Sequence, residues 1–457
     1  MRGNPDISLS ICGHAWHGKS TLLGKIVAES GMASPREIEN ARRQAKEGRD
    51  PSLVFAQLVF RSKDISHGES EAARGVTILP SMVRFQFDQH RITVIDTPGQ
   101  ETYANNRFFG MFQADAAILV VDVKQGPQPI TTQVVRILKG FEIPLMAVAL
   151  TKMDRVDYEE SAFRETEELV RLLCEDHGVV LDNTTFIPTS AYSPGRDIHE
   201  PGEGILGYEK IDWYDGPSIY EYMSKLDHQR IRPPAGPCRV VIHGSEVYDN
   251  VPGIGKTATA LVEAGSVRPE QTLQFEPLSA EKGSPVTARV RSVQLTRGHI
   301  ATPGIPVPEG HPRQLVGLAF KNVSFKESLR DLFKGRGVIA GPSSNPPKVG
   351  KRLRLELTVF DPDTVLKVGE VWTMHVHVDR AAIALDKVLA KRPTDSGDWE
   401  DTDEEGILPG EWARIEVTCA NRPVAIEEAD TLPMLSKFVI RHGKKAVAYG
   451  RCVKVIE

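Results

Sequence analysis

Between Gly13 and Thr21 the chain reads GHAWHGKST, two glycines five positions apart followed at once by a lysine and two hydroxyl residues. That spacing suits phosphate. Gly13 and Gly18 let the backbone turn and approach an anion, Lys19 neutralises phosphate oxygens, and the Ser20 hydroxyl can ligate Mg²⁺. Trp16, His17 and Thr21 complete the loop around such a ligand. Three further patterns follow in order. Asp96-Thr-Pro-Gly99 offers a carboxylate for Mg²⁺ and an amide, that of Gly99, for a terminal phosphate. Thr151-Lys-Met-Asp154 offers a carboxylate that accepts from both N1–H and the 2-amino group of guanine, a pair of donors adenine lacks, with Lys152 lying over the base. Thr189-Ser-Ala-Tyr192 sets the Ala191 amide on guanine O6, flanked by Ser190 and Tyr192. Each pattern alone is weak. Four in sequence predict a site for GTP and GDP.

These residues need a particular frame. ISLSIC, RITVID, AAILVVD and LMAVAL are short apolar runs, each preceding one of the patterns or a stretch of helical spacing. Strand and helix in alternation predict a parallel sheet with helices on both faces, and ligands of such sheets bind at the carboxyl ends of the strands. After RPPAGP (Arg232–Pro237) the pattern changes to short β-like runs broken by Gly and Pro, and PSSNPPK (Pro342–Lys348) reads as a second connector. The expected fold is therefore an α/β P-loop GTPase domain over residues 1–231, followed by two β-barrel domains over 237–345 and 348–457. The acidic run Thr394–Gly406 reads as a solvated loop between strands. Five dispersed cysteines without CxxC spacing argue against a disulfide framework or a zinc site, and a net charge of −5 confines any nucleic-acid contact to a local patch. His375 and His377 form a pair on one strand without a third ligand nearby in sequence, so a metal site there is not favoured. With no leader and no apolar run long enough to cross a bilayer, the chain reads as cytoplasmic and free of membrane.

At this point the residues resemble the translational GTPases, and among them elongation factor 1-alpha. ARGVTI (Ala73–Ile78) is similar to that family's first switch, which implies Thr77 as a Mg²⁺ ligand beside Ser20 and Asp96. Gly31–Gln57 resembles a helical insert of the family, and GIGKTATALVEAGSVRPEQ, VGLAFKNVSFKESLRDLFKGRGVIAG and FVIRHGKKAVAYGRCVKVI resemble its barrels. The resemblance implies a GTP-hydrolysing carrier of aminoacyl-tRNA or a tRNA-shaped cargo, a ribosome partner, a possible nucleotide exchange factor, and a monomer. Three departures stand out. The family usually has Asp where Trp16 stands, His where Gln100 follows the DTPG motif, and Asn where Thr151 opens the guanine motif. Gln100 is the expected catalytic residue, since a carboxamide can orient water although it cannot carry charge. The first switch also reads as a few residues longer, around His67, Gly68 and Glu69. His14 and His17 read as loop partners rather than acids. Alternatives are a carrier of a release- or rescue-factor-like protein, a GTPase subunit of a sulfate adenylyltransferase-like enzyme, and a non-hydrolysing GTP sensor.

Overall fold

In the computed structural model the described residues are 6–47, 53–59, 77, 81–87, 90–191, 211–226, 236–295, 304–334, 336–377, 379–393, 397–443 and 445–457. Two compact units divide the chain, Met1–Ile231 and Arg232–Glu457. The candidate residues His67, Gly68, Glu69 and Tyr192, and residues 394–396 of the acidic run, lie outside the described residues.

The first unit runs β1 (Asp6–Cys12), α1 (Lys19–Glu29), α2 (Pro35–Glu47), β2 (Ser81–Gln86), β3 (Arg91–Asp96), α3 (Ala104–Phe112), β4 (Ala116–Asp122), α4 (Pro129–Gly140), β5 (Leu145–Thr151), α5 (Glu160–Asp176), β6 (Thr185–Thr189) and α6 (Ile219–Ser224). Its sheet has the order β2-β3-β1-β4-β5-β6. β2 pairs antiparallel with β3, and every other neighbour is parallel. Ile7, Leu9 and Ile11 of β1 pack with Leu22, Leu23 and Ile26 of α1 and with Ile219 and Met223 of α6. Every residue of β4 and β5 is buried, the mark of strands covered on both faces. Val134, Ile137 and Leu138 of α4 and Phe163 and Val170 of α5 are buried as well. The N-terminus of α6 is closed by local chemistry: Ser218 accepts from the Glu221 amide at 3.1 Å while the Glu221 carboxylate accepts from the Ser218 amide at 2.9 Å. The N-terminus of α1, like those of α3 and α5, has no such cap. Its N-cap is Gly18 and no side chain caps it, so its first-turn amides point at the loop.

The second unit holds two closed sheets. Strands Thr287–Leu295, Leu315–Lys321, Gly255–Ala264, Arg239–Val251, Val338–Pro342 and Thr272–Glu276 pair in that order, and the last returns to the first. Val371–Val376, Lys437–His442, Lys445–Val455, Arg352–Val359, Trp412–Cys419 and Asp379–Arg392 close in the same way. Closure removes the exposed sheet edges. Each barrel has its own apolar core, around Val240, Phe275 and Phe333 in one and Leu355, Met374 and Phe438 in the other. A buried ion pair at 2.5 Å joins Arg239 of the first barrel to Glu427 of the second.

The acidic run keeps its described carboxylates exposed, as expected of a solvated segment, but it is not wholly a loop. Glu400 and Asp401 pair with Lys391 and Ala390 as a short strand, and the Trp399 ring lies 4.6 Å from both the Arg392 and the Arg414 guanidinium. Stacking on two cations holds the segment against the barrel. All five cysteines are free and buried. No described helix is long and apolar enough to cross a membrane.

His375 and His377 are core residues, 3% and 4% exposed, and among the described residues no group of three or more His, Cys, Asp and Glu side chains is arranged to hold a metal. Burial, with Arg441 and Arg380 nearby, pushes the His375 imidazole down to about 3, and burial, partly offset by a bond to the Leu435 backbone, pushes His377 down to about 4. Unfolded, both take up protons below about pH 6.5, while the folded chain resists. Their contribution is therefore intact above pH 6.5 and is lost as pH falls towards 4. We expect thermal unfolding scans to show an acid limb in that window, and the double variant His375→Gln/His377→Gln to flatten it. An unchanged limb in that variant would place the acid sensitivity elsewhere.

Candidate functional site

The four sequence patterns converge at the carboxyl edge of the first unit's sheet. Gly13 leaves β1 and the loop to Lys19 returns as α1. Gly18 has φ 91°, a left-handed conformation that admits glycine at little cost. The Lys19 ammonium folds back on the loop, donating to the His14 carbonyl at 2.6 Å. Burial first, eased by Asp96, brings its pKa down to about 8. His17 is fully buried, and burial followed by the Lys19 charge pushes its imidazole down to about 4, so it is neutral at pH 7. Trp16 is 56% exposed with φ 64°, and Thr21 sits in the first turn of α1.

The DTPG segment closes against this loop. Ala15 donates its amide to the Gly99 carbonyl at 3.0 Å, and a Cβ at Gly99 would run into the Lys19 ammonium and the Ala15 amide. Only glycine fits there. The Asp96 carboxylate, fully buried at the end of β3, accepts from the Ser20 hydroxyl at 2.6 Å and from the Thr77 hydroxyl at 3.1 Å. Ser20 and Thr77 lie 2.7 Å apart, so three oxygens from three segments meet in one spot. Gln100, half-buried, follows directly, and among the described residues no hydrogen bond engages its carboxamide.

The guanine motif is tied to the same loop. The Thr151 hydroxyl donates to the His17 carbonyl at 2.6 Å, with Val121 O at 3.2 Å. Lys152, with φ 62°, donates to the preceding loop carbonyl, that of Trp16, at 2.6 Å and pairs with Asp122 at 2.7 Å. Thr151 thus ties the end of β5 to the phosphate loop. Asp154 follows in a 3₁₀ turn, Met153–Val156, and one of its oxygens accepts from the Ser190 hydroxyl at 2.6 Å. Ala191 follows Ser190, just past the end of β6, with Tyr192 beyond the described residues.

Asp122 was missed by the motif reading. Burial opposes its ionisation, but the Lys152 ammonium and the Lys124 amide outweigh it and hold its carboxyl below the usual range. Its signal was its place: a carboxylate ending β4, just as Asp96 ends β3. Arg107 was missed too, a fully buried cation on the apolar stripe of α3 beside Phe108, Met111 and Phe112.

A family profile for the elongation factor Tu GTP-binding domain matches residues 4–213, and one for the C-terminal domain of eEF1A-like GTPases matches 352–453. Elongation factor 1-alpha of Archaeoglobus fulgidus is 30% identical over 448 residues, 97% of this chain and 96% of that protein. The chain belongs to the elongation factor 1-alpha family. The Natronomonas pharaonis member is 29% identical over 453 residues, 99% of each chain. Among solved structures, the GTPase-like domain of S. cerevisiae Ski7 bound to GTP matches with TM-score 0.75 at 18% identity, covering 98% of this chain and 97% of that one. SelB of Methanococcus maripaludis, in its apo form, matches at TM-score 0.66 and 18% identity, covering 100% and 81%. At such identities the structural matches speak for the fold alone. As a member of the elongation factor 1-alpha family the protein is a GTP-binding translational GTPase. That reading is favoured over the release-factor-like and sulfate adenylyltransferase-like alternatives. The family's fold, a P-loop domain followed by β-barrels, is the one observed.

Proposed function

We propose that this GTPase carries aminoacyl-tRNA, or a cargo of that shape, to the ribosome in its GTP state and releases it after hydrolysis. The observation that carries the reading is the meeting of Ser20, Thr77 and Asp96 within 2.6–3.1 Å, because it links the phosphate loop, the first switch and the end of β3 at one spot. Two hydroxyls and a carboxylate form the all-oxygen set that suits a hard divalent cation, so these residues would hold Mg²⁺. Bound there, Mg²⁺ neutralises charge on the phosphate oxygens. Gly13, Trp16, His17, Gly18, Lys19, Ser20 and Thr21 wrap the phosphates, with the free amides of α1 facing them. Thr151, Lys152, Asp154, Ser190, Ala191 and Tyr192 read the base. Gln100 orients the attacking water, and the Gly99 amide senses the terminal phosphate. Losing that phosphate removes the contacts that hold Thr77 and Gly99, and the switches relax. We place the work in the cytoplasm, by a monomer with domains at 1–231, 237–345 and 348–457 and an exchange factor to reload it.

The test compares nucleotide states. Loaded with a non-hydrolysable GTP analogue, the protein should bind aminoacyl-tRNA at least about tenfold tighter than with GDP, since only differential contacts shift such an equilibrium. Equal affinity in the two states, measured by filter binding with deacylated tRNA as control, would remove the carrier reading.

A further inference from the structure

The helix that follows the DTPG segment contains a residue no site pattern calls for. Arg107 lies on α3 within ANNRFFGMF and is 0% exposed. A guanidinium is a costly group to bury, and it is tolerated only when its fixed fork of donors finds acceptors. Two of those acceptors are telling. One terminal nitrogen donates to the carbonyl of Gln100 at 3.4 Å, and the other to the side-chain oxygen of Gln133, on α4, at 3.2 Å. The same Gln100 carbonyl accepts from the Tyr103 amide at 3.1 Å, the bond that opens the 3₁₀ turn Glu101–Tyr103. The main chain of Gln100 is thereby held from two sides, while its carboxamide stays free of hydrogen bonds among the described residues.

The arginine also lies within electrostatic reach of the phosphate loop. Burial chiefly lowers the pKa of His14, and the charges of Lys19 and then Arg107 lower it further. The helix bearing Arg107 packs closely on the end of β3 and the DTPG segment: a Cβ at Gly110 would collide with the Thr97 methyl.

We infer that Arg107 is a positioning residue for GTP hydrolysis: anchored by Gln133, it fixes the backbone of Gln100 so that the free carboxamide is presented to the attacking water. This rests on the reading of Gln100 given above. A carboxamide on a three-bond stem sweeps a wide arc, and fixing its backbone narrows the arc before water arrives. The chemistry proposed is a constraint on direction. Arg107 itself touches no reacting atom.

A double-mutant cycle tests it. Single-turnover GTP hydrolysis, GTP affinity and thermal stability would be measured in the full chain for Arg107→Ala, Arg107→Lys, Gln133→Leu, Gln100→Ala and Gln100→Ala/Arg107→Ala. Arg107→Ala should slow hydrolysis about tenfold or more with GTP affinity changed by less than about threefold, the signature of an interaction needed at the chemical step. Arg107→Lys should recover part of the rate, because it restores the charge and one donor, and Gln133→Leu should slow hydrolysis by a smaller factor. In the Gln100→Ala background, removing Arg107 should slow the reaction no further, as coupled residues are non-additive. Should Arg107→Ala fail to fold, the lysine and Gln133→Leu variants carry the same comparison. Full additivity, or normal hydrolysis in the Arg107 variants while Gln100→Ala is slow, overturns the inference and leaves the role of Gln100 standing. Normal hydrolysis in Gln100→Ala overturns both.

Discussion

Asp154→Asn will weaken GTP binding by roughly two orders of magnitude and leave the already poor binding of ATP nearly unchanged. One Asp154 oxygen accepts from the Ser190 hydroxyl at 2.6 Å. A carboxylate offers about four lone-pair positions, so ample acceptor capacity remains for N1–H and the 2-amino group of guanine. Bonds to a charged acceptor are worth about 1.5–3 kcal/mol each, and asparagine would also turn an N–H donor towards donors of the base. The substitution keeps an oxygen for Ser190, so the turn need not move. Xanthosine triphosphate, which carries an oxygen in place of the 2-amino group, should gain what GTP loses. Calorimetric titration with the three nucleotides decides the matter, and GTP affinity within threefold of the parent would end the argument for base recognition by this residue.

Gln100→Ala is the second large effect. Hydrolysis in a single turnover should fall by about a hundredfold or more, the usual scale for removing a group that handles the nucleophile. GTP affinity should hold, because the carboxamide makes no hydrogen bond among the described residues and its loss takes nothing from the loop. An unchanged rate would mean that water is ordered by something else.

Much of this site was legible because its parts are short and local. Gly18 is required by a left-handed φ, and Lys19, Ser20 and Asp96 carry chemistry that few other residue types supply, so spacing along the chain revealed them. The sheet was legible for a similar reason: β4 and β5, buried throughout, can only be strands wrapped on both faces. What escaped were partnerships between distant positions. Lys152 looked like a cover for the base, yet its ammonium also reaches Asp122, on the neighbouring strand, and Trp16 in the loop. Arg107 belongs to none of the short patterns, and only its complete burial sets it apart. Trp399 stood in an acidic run whose charge argued for solvent, and no rule of composition pairs it with arginines at 392 and 414. The closing of each barrel rests on pairings such as Thr287 with Gln274 and Val371 with Ala384, which alternation within single strands does not reveal.

The paired grip of Thr151 and Lys152 on two successive carbonyls, those of His17 and Trp16, has a consequence for how the occupant leaves. The segment we propose to read the purine and the one we propose to wrap the phosphates are thus joined at adjoining peptide units. A movement that opens the pocket at one side therefore pulls on these two bonds and loads the other side.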